Sequence, residues 1–168
     1  MIFPLPYIEF LTHFHGDRDF FECHEILEEH WKRSGTEKGS VWVGLIQVAV
    51  GFYHYRRGNK KGAYKMMDKA YNIFIQRKAE VHSLGLDHRE LIIMIQQSYM
   101  EIQADLPYQA KDLPIIDLEL LTVCKERVRS CGWIWGNKDD FHEEIIHKHV
   151  LRKKIPSISQ DSTIIKPG

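Results

Sequence analysis

Residues 19–31 constrain the fold of this chain more than any other part of the sequence. Three large apolar residues recur at the spacing of one helix face: Phe20, Leu27 and Trp31. His24 lies on the same face, and Glu28 lies beside it, four residues further on. A face with so many apolar side chains turns inward, where buried polar groups need partners. The segment therefore predicts an amphipathic helix that carries an imidazole and a carboxylate into the core.

Similar apolar spacing predicts further helices along the whole chain. We expect them over about residues 5–15, 20–34, 39–57, 60–84, 88–105, 117–130 and 139–151. Local signals mark several ends: Asp17 or Asp19 can cap the second helix, Gly58 and Asn59 form a tight turn, and Asp87 begins a capping box. No segment alternates with the period of two that strands require. The predicted class is all-α, a compact bundle of about five helices with a helical C-terminal extension.

The helical pattern is interrupted at residues 107–114, which begin and end with proline. We therefore predict a helical bundle domain over residues 1–109, a helical extension over 110–154 and a flexible tail over 155–168. Residues 132–136 form an aromatic turn with two tryptophans. The sequence leaves the conformation of residues 130–168 open.

Composition excludes several classes of function. The 168 residues contain 23 Lys and Arg and 23 Asp and Glu, so the formal net charge is zero and no global field attracts nucleic acid. No apolar run reaches the roughly 18 residues of a membrane span, and the N-terminus lacks the pattern of a signal peptide. Three scattered cysteines favour a reducing, cytoplasmic setting. Four aromatic residues that we expect to be exposed favour a homo-oligomer: Trp42, Tyr53, Tyr55 and Tyr64.

The run from Phe20 to Trp31 resembles the hallmark of a small all-helical prokaryotic family, the domain of unknown function 309. Residues 44–49, His54, the Gly58-Asn59 turn and residues 62–63 continue the same pattern in the same order. The resemblance covers roughly residues 7–75, and the whole chain looks like the longer, Firmicute-type members. It implies an all-helical fold and no established activity.

A polar network between the second and third helices is the leading interpretation of the hallmark residues. Its members are expected to be His24, Glu25, Glu28, Trp31, Gln47 and His54. Hydrogen bonds across a helix interface fix the register of the two helices and need no ligand. With such a network the chain would be an interaction module or a small-ligand binding module, with its protein or small-molecule partner unknown.

A metal site is the alternative interpretation of the same residues. His24, Glu28 and His54 could ligate a divalent ion, with Glu25 as the general base of a hydrolase-like enzyme. The hallmark has a glutamate where the zinc motif HExxH has its second histidine, so the metal is not favoured over the network. Whether the chain is an enzyme, and whether it uses a cofactor, stays open.

Two further clusters near the C-terminus carry weaker hypotheses. His142 and His149 share a helix face, but seven residues separate them by about 10 Å, too far to chelate one ion. The basic residues at 148 and 152–154 could contact nucleic acid, although a solvated helix end is the favoured interpretation.

Cys23 is expected to be a core residue, because adjacent helix positions such as 23 and 24 do not face each other.

Overall fold

A computed structural model describes residues 2–139 of the chain. Seven α-helices follow one another in this part: α1 Leu5–His15, α2 Phe20–Arg33, α3 Val41–Arg56, α4 Lys60–Phe74, α5 Lys78–Ser83, α6 His88–Gln103 and α7 Leu118–Ser130. Between residues 2 and 139 the only β-type pairing is an isolated bridge between Leu86 and Ile115. The predicted all-α class is confirmed. The helix predicted over 139–151 and the tail at 155–168 lie outside the described residues.

Helix α3 is the centre of the bundle and packs against both α2 and α4. Every side chain of α3 is buried except those of Val41, Trp42 and His54. A helix that is apolar on all sides belongs in the interior of a fold.

Tyr53 and Tyr55 are only 3% and 4% exposed, so the expectation that they are exposed is wrong. Trp42 and Tyr64 are half-buried, and homo-oligomerisation stays a prediction that loses part of its support.

The predicted helix caps are confirmed where the sequence signal was local. Side chains of Asp19, Asn59 and Asp87 each accept a hydrogen bond from the backbone N–H three residues further on. Such caps satisfy backbone donors that the first helical turn leaves without partners. Gly58 adopts the left-handed φ of +85° that ends α3 and that glycine tolerates best.

The predicted single helix over residues 60–84 is wrong, because α4 ends at Phe74 and α5 begins at Lys78. Arg77 has φ −123° and ψ 40°, which are not helical values. A ring nitrogen of His88, at the start of α6, lies 2.7 Å from the carbonyl oxygen of Phe74. This bond takes up a carbonyl at the end of α4. The chain changes direction here through a contact between helices, without the glycine or proline that would mark a break in the sequence.

The junction between α1 and α2 binds the C-terminal part of the described chain. Helix α7 packs on α1, and the fully buried guanidinium of Arg18 donates hydrogen bonds to the carbonyl oxygens of Lys111 and Asn137. Trp135 stacks on the His15 ring with centroids 4.3 Å apart. Trp133 lies so close to Gly16 that a Cβ atom there would be 2.6 Å from the indole. The domain boundary near residue 110 stays a prediction, and these contacts tie its two sides together.

Candidate functional site

Helix α2 brings three potential metal ligands together within little more than one turn. One ligand atom from each of His24, Glu25 and Glu28 can be chosen so that all lie within 4.8 Å of one another. His24 is 3% exposed and Glu28 is 1% exposed, whereas Glu25 is half-buried. The i, i+4 spacing puts the first and last side chains on one face, and Glu25 borders that face. The cluster therefore has a buried side and a side that faces the edge of the bundle.

A row of charges runs along this face of α2. The Nε2 atom of His24 lies 3.5 Å from Oε2 of Glu28, and the Nζ atom of Lys32 lies 3.5 Å from Oε1 of the same carboxylate. The Lys32 side chain is half exposed, so its ammonium group reaches the buried carboxylate from the solvent side. The carboxylate of Glu28 is thus held between an imidazole and a cation, which offsets part of the cost of burying its charge.

The buried polar atoms that make no hydrogen bond to any described residue include one atom on α2 and one on α3. They are Nε2 of His24 and Oε1 of Gln47. The distance of 3.5 Å between His24 and Glu28 suits an ion pair, yet it is not a formed hydrogen bond. Most buried polar side-chain atoms in proteins have a hydrogen-bond partner. The predicted network is therefore incomplete within residues 2–139, and its open positions are on the imidazole and on the amide.

The structure does not bring His54 into the cluster of ligand atoms. Its Nδ1 lies 3.3 Å from the side-chain nitrogen of Asn59, at the turn into α4. Burial, with the charge of the neighbouring Arg57, lowers the pKa of His54 from 6.5 to about 4. Sequence spacing alone could not place His54, because its height relative to α2 depends on how the two helices pack. The cluster takes in Glu25 instead, which the sequence assigned to the polar network and, under the enzyme alternative alone, to the role of general base.

Trp31 belongs to the hallmark, but its hydrogen bond is to the backbone of the connection after α2 and not to the carboxylates of the cluster. Its indole N–H donates a hydrogen bond of 2.8 Å to the carbonyl oxygen of Glu37. This contact ties the end of α2 to the connection that leads into α3. The role that the structure gives Trp31 is to hold this connection.

Cys23 is a core residue, as the sequence predicts. It has no exposed surface, and its thiol donates to the carbonyl oxygen of Phe10 at 3.4 Å. Burial raises the pKa of the thiol well above its ordinary value, with a smaller contribution from Asp19 and neighbouring carboxylates. A thiol that stays protonated is a poor nucleophile. The C-terminal histidines and basic residues at 142–154 lie outside the described residues.

Sequence reasoning missed the part that Lys32 takes in this site. Lys32 follows Glu28 by four residues, an arrangement that favours an ion pair on any helix. The signal was therefore present in the sequence. The structure adds that the carboxylate in this ion pair is buried, so Lys32 offsets part of the cost of burying its charge.

Comparisons with known proteins place the chain in a family. The family profile described as "Domain of unknown function (DUF309)" matches residues 7–66. The chain is also 38% identical over 161 residues to the "Uncharacterized protein YpuF" of Bacillus subtilis (strain 168), which covers 95% of this chain and 92% of that protein. No solved structure matches the chain. Within the described residues no helix is both long enough and apolar enough to cross a bilayer. The hallmark residues, the all-helical fold and the full-length similarity agree, and the chain belongs to this family of unknown function.

Proposed function

We propose that the protein is a small-ligand binding module whose ligand is a divalent metal ion, held by His24, Glu25 and Glu28. One observation carries this proposal: a ring nitrogen of His24 and one carboxylate oxygen each from Glu25 and Glu28 lie within 4.8 Å of one another, in a cluster where the buried Nε2 of His24 makes no hydrogen bond to any described residue. Metal–ligand distances of about 2.1 Å require donor atoms about 3–4 Å apart. Small rotations of the side chains would close the remaining gap.

The electrostatics of the site also support a bound cation. Two carboxylates lie close together, and one of them is buried with 1% of its surface exposed. The half-exposed Lys32 reaches the carboxylate of Glu28 from the solvent side, and Nε2 of His24 lies 3.5 Å from the same carboxylate. A divalent ion would neutralise both carboxylates and would take the lone pair of Nε2. It would thus give Nε2 of His24 the partner that the described residues do not supply.

The hydrolase-like alternative has less support. It needs His54 as a ligand and Glu25 as a free general base. His54 lies beside Asn59 instead, and Glu25 is close enough to be a ligand itself. A closed network that stabilises the fold without any ligand remains the competing hypothesis, and the experiment below separates it from metal binding.

The test is the metal content of tag-free protein, measured by mass spectrometry of the elements. We expect close to one divalent ion per chain in the native protein and a loss of that ion in His24→Ala and Glu25→Gln. Glu25 is half-buried, so Glu25→Gln is expected to fold even if the buried His24→Ala is unstable. His30→Ala is the matched control, since His30 lies on the same helix outside the cluster.

A second measurement covers the case in which the ion is lost during purification. Metal-free protein is titrated with Mn²⁺ or Zn²⁺ while its melting temperature is followed, because a ligand that binds only the native state stabilises it. We expect the melting temperature of the native chain and of His30→Ala to rise, and that of Glu25→Gln to rise much less. If none of the proteins binds metal by either method, the closed network is the better description.

We also propose a cytoplasmic location and self-association. The location is supported by free cysteines, two of which are buried, as in proteins of reducing compartments. Self-association is supported by an exposed apolar groove between the N-terminus and α7, in which Ile2 is 97% and Leu118 is 77% exposed. Light scattering after gel filtration tests this proposal, and Leu118→Glu should shift a dimer to the monomer.

A further inference from the structure

The guanidinium of Arg56, at the C-terminal end of α3, has a buried edge of N–H donors that no described residue uses. Its Nη1 atom donates to the carbonyl oxygen of Arg18 at 2.8 Å and to Oδ2 of Asp139 at 2.9 Å. Its Nε and Nη2 atoms are buried as well, and they make no hydrogen bond to any described residue. Two parallel N–H groups of this kind are the fork with which arginine binds a carboxylate through both oxygens. The unused edge therefore has the donor geometry of a carboxylate receptor.

The packing around Arg56 explains its position but not its unused donors. The Cζ atom lies 4.7 Å from the centroid of the Phe20 ring, a distance typical of a cation–π contact. The ring attracts the positive charge, yet it offers no oxygen to the N–H groups. Residue Arg56 is only 8% exposed, and burying donors without acceptors lowers stability. The Nε–Nη2 edge thus needs a partner that the described residues do not supply.

The carboxylate of Asp139 is the group that Arg56 holds in this structure. Its Oδ2 atom also lies 3.0 Å from the hydroxyl of Tyr108, which donates to it. Asp139 has a φ of +74°, a left-handed value that residues with a Cβ atom adopt at a cost in free energy. Because it uses Nη1 and leaves the fork empty, this tethered carboxylate is a poorer partner than one that is free to move along the guanidinium.

We propose that Arg56 and Tyr108 form a binding site for a small organic acid, whose carboxylate replaces that of Asp139 and binds the Nε–Nη2 edge. Exchange of one carboxylate for another leaves the charge of the buried site unchanged, so no unpaired guanidinium is created. The unused donors are closed to solvent, and a ligand that takes the space of one side chain fits there. A protein surface is too large for that space. The site shares no residue with the metal site proposed above.

An ordered water molecule is the competing occupant of the empty edge. Water would satisfy Nε and Nη2 while Asp139 stays in place, and Arg56 would then be a structural residue alone. The two explanations differ in how the edge responds to a free carboxylate. A ligand site responds to it in a saturable way, whereas a structural water does not exchange with it.

The experiment titrates the native chain and Asp139→Gly with acetate, which has the size of the aspartate side chain. The Nε–H signal of Arg56 is followed by NMR, assigned by its loss in Arg56→Lys, with sodium chloride at equal ionic strength as the reference. Asp139→Gly removes the tethered carboxylate and suits the φ of +74°. We expect a saturable shift in both proteins, with the midpoint in Asp139→Gly at an acetate concentration about tenfold lower or less, because the competitor is gone. The melting temperature of Asp139→Gly should rise with acetate.

Two controls test whether the response belongs to Arg56. Asp112→Ala removes a 48% exposed carboxylate from the neighbouring Arg18 and should leave the response of the Arg56 signal to acetate as it is in the native chain. Arg56→Lys lacks the fork, so acetate should no longer raise the melting temperature of the double variant with Asp139→Gly. If Asp139→Gly does not fold, Asp139→Asn, which keeps the size of the side chain and removes its charge, takes its place with the same expected shift in midpoint.

Three results would overturn the proposal. The first is an Arg56 signal that acetate moves no further than chloride does, in the native chain and in the Asp139 variant, which would leave water as the occupant. The second is a stabilisation by acetate that persists without the Arg56 fork, since the anion would then bind elsewhere. The third is tighter binding of inorganic phosphate than of acetate, which would exclude the assignment to organic acids.

Discussion

The Nε2 atom of His15 accepts a hydrogen bond of 2.9 Å from the backbone N–H of Leu113, 98 residues further along the chain. Because Nε2 is the acceptor, the proton is on Nδ1, which donates to the carbonyl oxygen of Leu11 at 2.8 Å. The bond from Leu113 needs the neutral ring, because a protonated Nε2 has no lone pair to accept it. Burial first, with the charge of Arg18 as a smaller cause, lowers the pKa of His15 from 6.5 to about 4. The contact between α1 and the C-terminal segment therefore depends on pH.

We predict that His15 makes the fold less stable in acid. Below pH 6.5 the unfolded chain binds a proton at this residue while the native chain does not, so stability falls until the native pKa of about 4 is reached. Across that window the loss from His15 amounts to about 3 kcal/mol. Above pH 6.5 the full contribution is present. Urea unfolding at a series of pH values measures the loss.

His15→Gln is the comparison for this measurement, since it cannot take up a proton. It should be less stable near neutral pH, with a shallower fall between pH 6.5 and 4. The pKa of His54 is also lowered to about 4, so His54 adds to the slope in both proteins. Equal slopes for the native chain and His15→Gln would show that His15 is not buried as described.

Arg18 is predicted to matter far more than the carboxylate that it pairs with. Its side chain donates to the carbonyl oxygens of Phe14, Lys111 and Asn137, and Arg18→Met would leave all three without this donor. We expect a loss of about 3 kcal/mol or more in the free energy of unfolding. Asp112 is 48% exposed, so Asp112→Asn should cost less than about 1 kcal/mol. Chemical denaturation of both variants tests the order, and a larger effect of Asp112→Asn would refute it.

Gly44 is predicted to be needed for the contact between α3 and α4. A Cβ atom at this position would lie 2.6 Å from the ring of Phe74. We expect Gly44→Ala to destabilise the fold by about 1–3 kcal/mol, although alanine is the better helix former. The double variant with Phe74→Leu should recover part of that loss. Gly51→Ala is the control, because its nearest neighbour is the flexible end of Met67. If Gly44→Ala is as stable as the native chain, the packing is looser than described.

His24 is predicted to contribute to stability even without metal. Removing the imidazole leaves the buried Glu28 without its neighbour at 3.5 Å. We therefore expect metal-free His24→Ala to lose about 1–3 kcal/mol in the free energy of unfolding, measured in urea with a chelator present. His30→Ala, which removes a half-buried imidazole from the same helix, should lose less. Equal losses would mean that the position of His24 has no special role.

Features of the fold that depend only on residues close together in the sequence could be predicted from it. The caps at Asp19, Asn59 and Asp87 need only a side chain and the backbone three residues ahead, and all three are present. The end of α4 at Phe74 could not be predicted, because one of the two hydrogen bonds at its carbonyl oxygen comes from His88 in another helix. The same holds for Arg18, because two of the carbonyl oxygens to which it donates belong to Lys111 and Asn137, which lie 93 and 119 residues away.

The candidate site, too, could be predicted from the sequence only in part. The proximity of His24 and Glu28 follows from helical spacing and is seen in the structure. The position of His54, beside Asn59 and outside the cluster, depends on how far α3 is displaced along α2. A one-dimensional pattern does not encode that displacement. It is set by side-chain packing, here by the contact of Phe21 with Tyr53.

The long reach of Arg18 has a consequence for the newly made chain. The most distant of the partners described above, the carbonyl oxygen of Asn137, is synthesised 119 residues later. At a translation rate of about 5–20 residues per second, the guanidinium waits roughly 6 to 24 s for that partner. Throughout that interval the emerging α1–α2 hairpin holds a charged group that the finished protein covers. A polypeptide truncated before residue 111 would lack the carbonyl oxygens of both Lys111 and Asn137, so it would keep uncovered a charge that the complete fold buries.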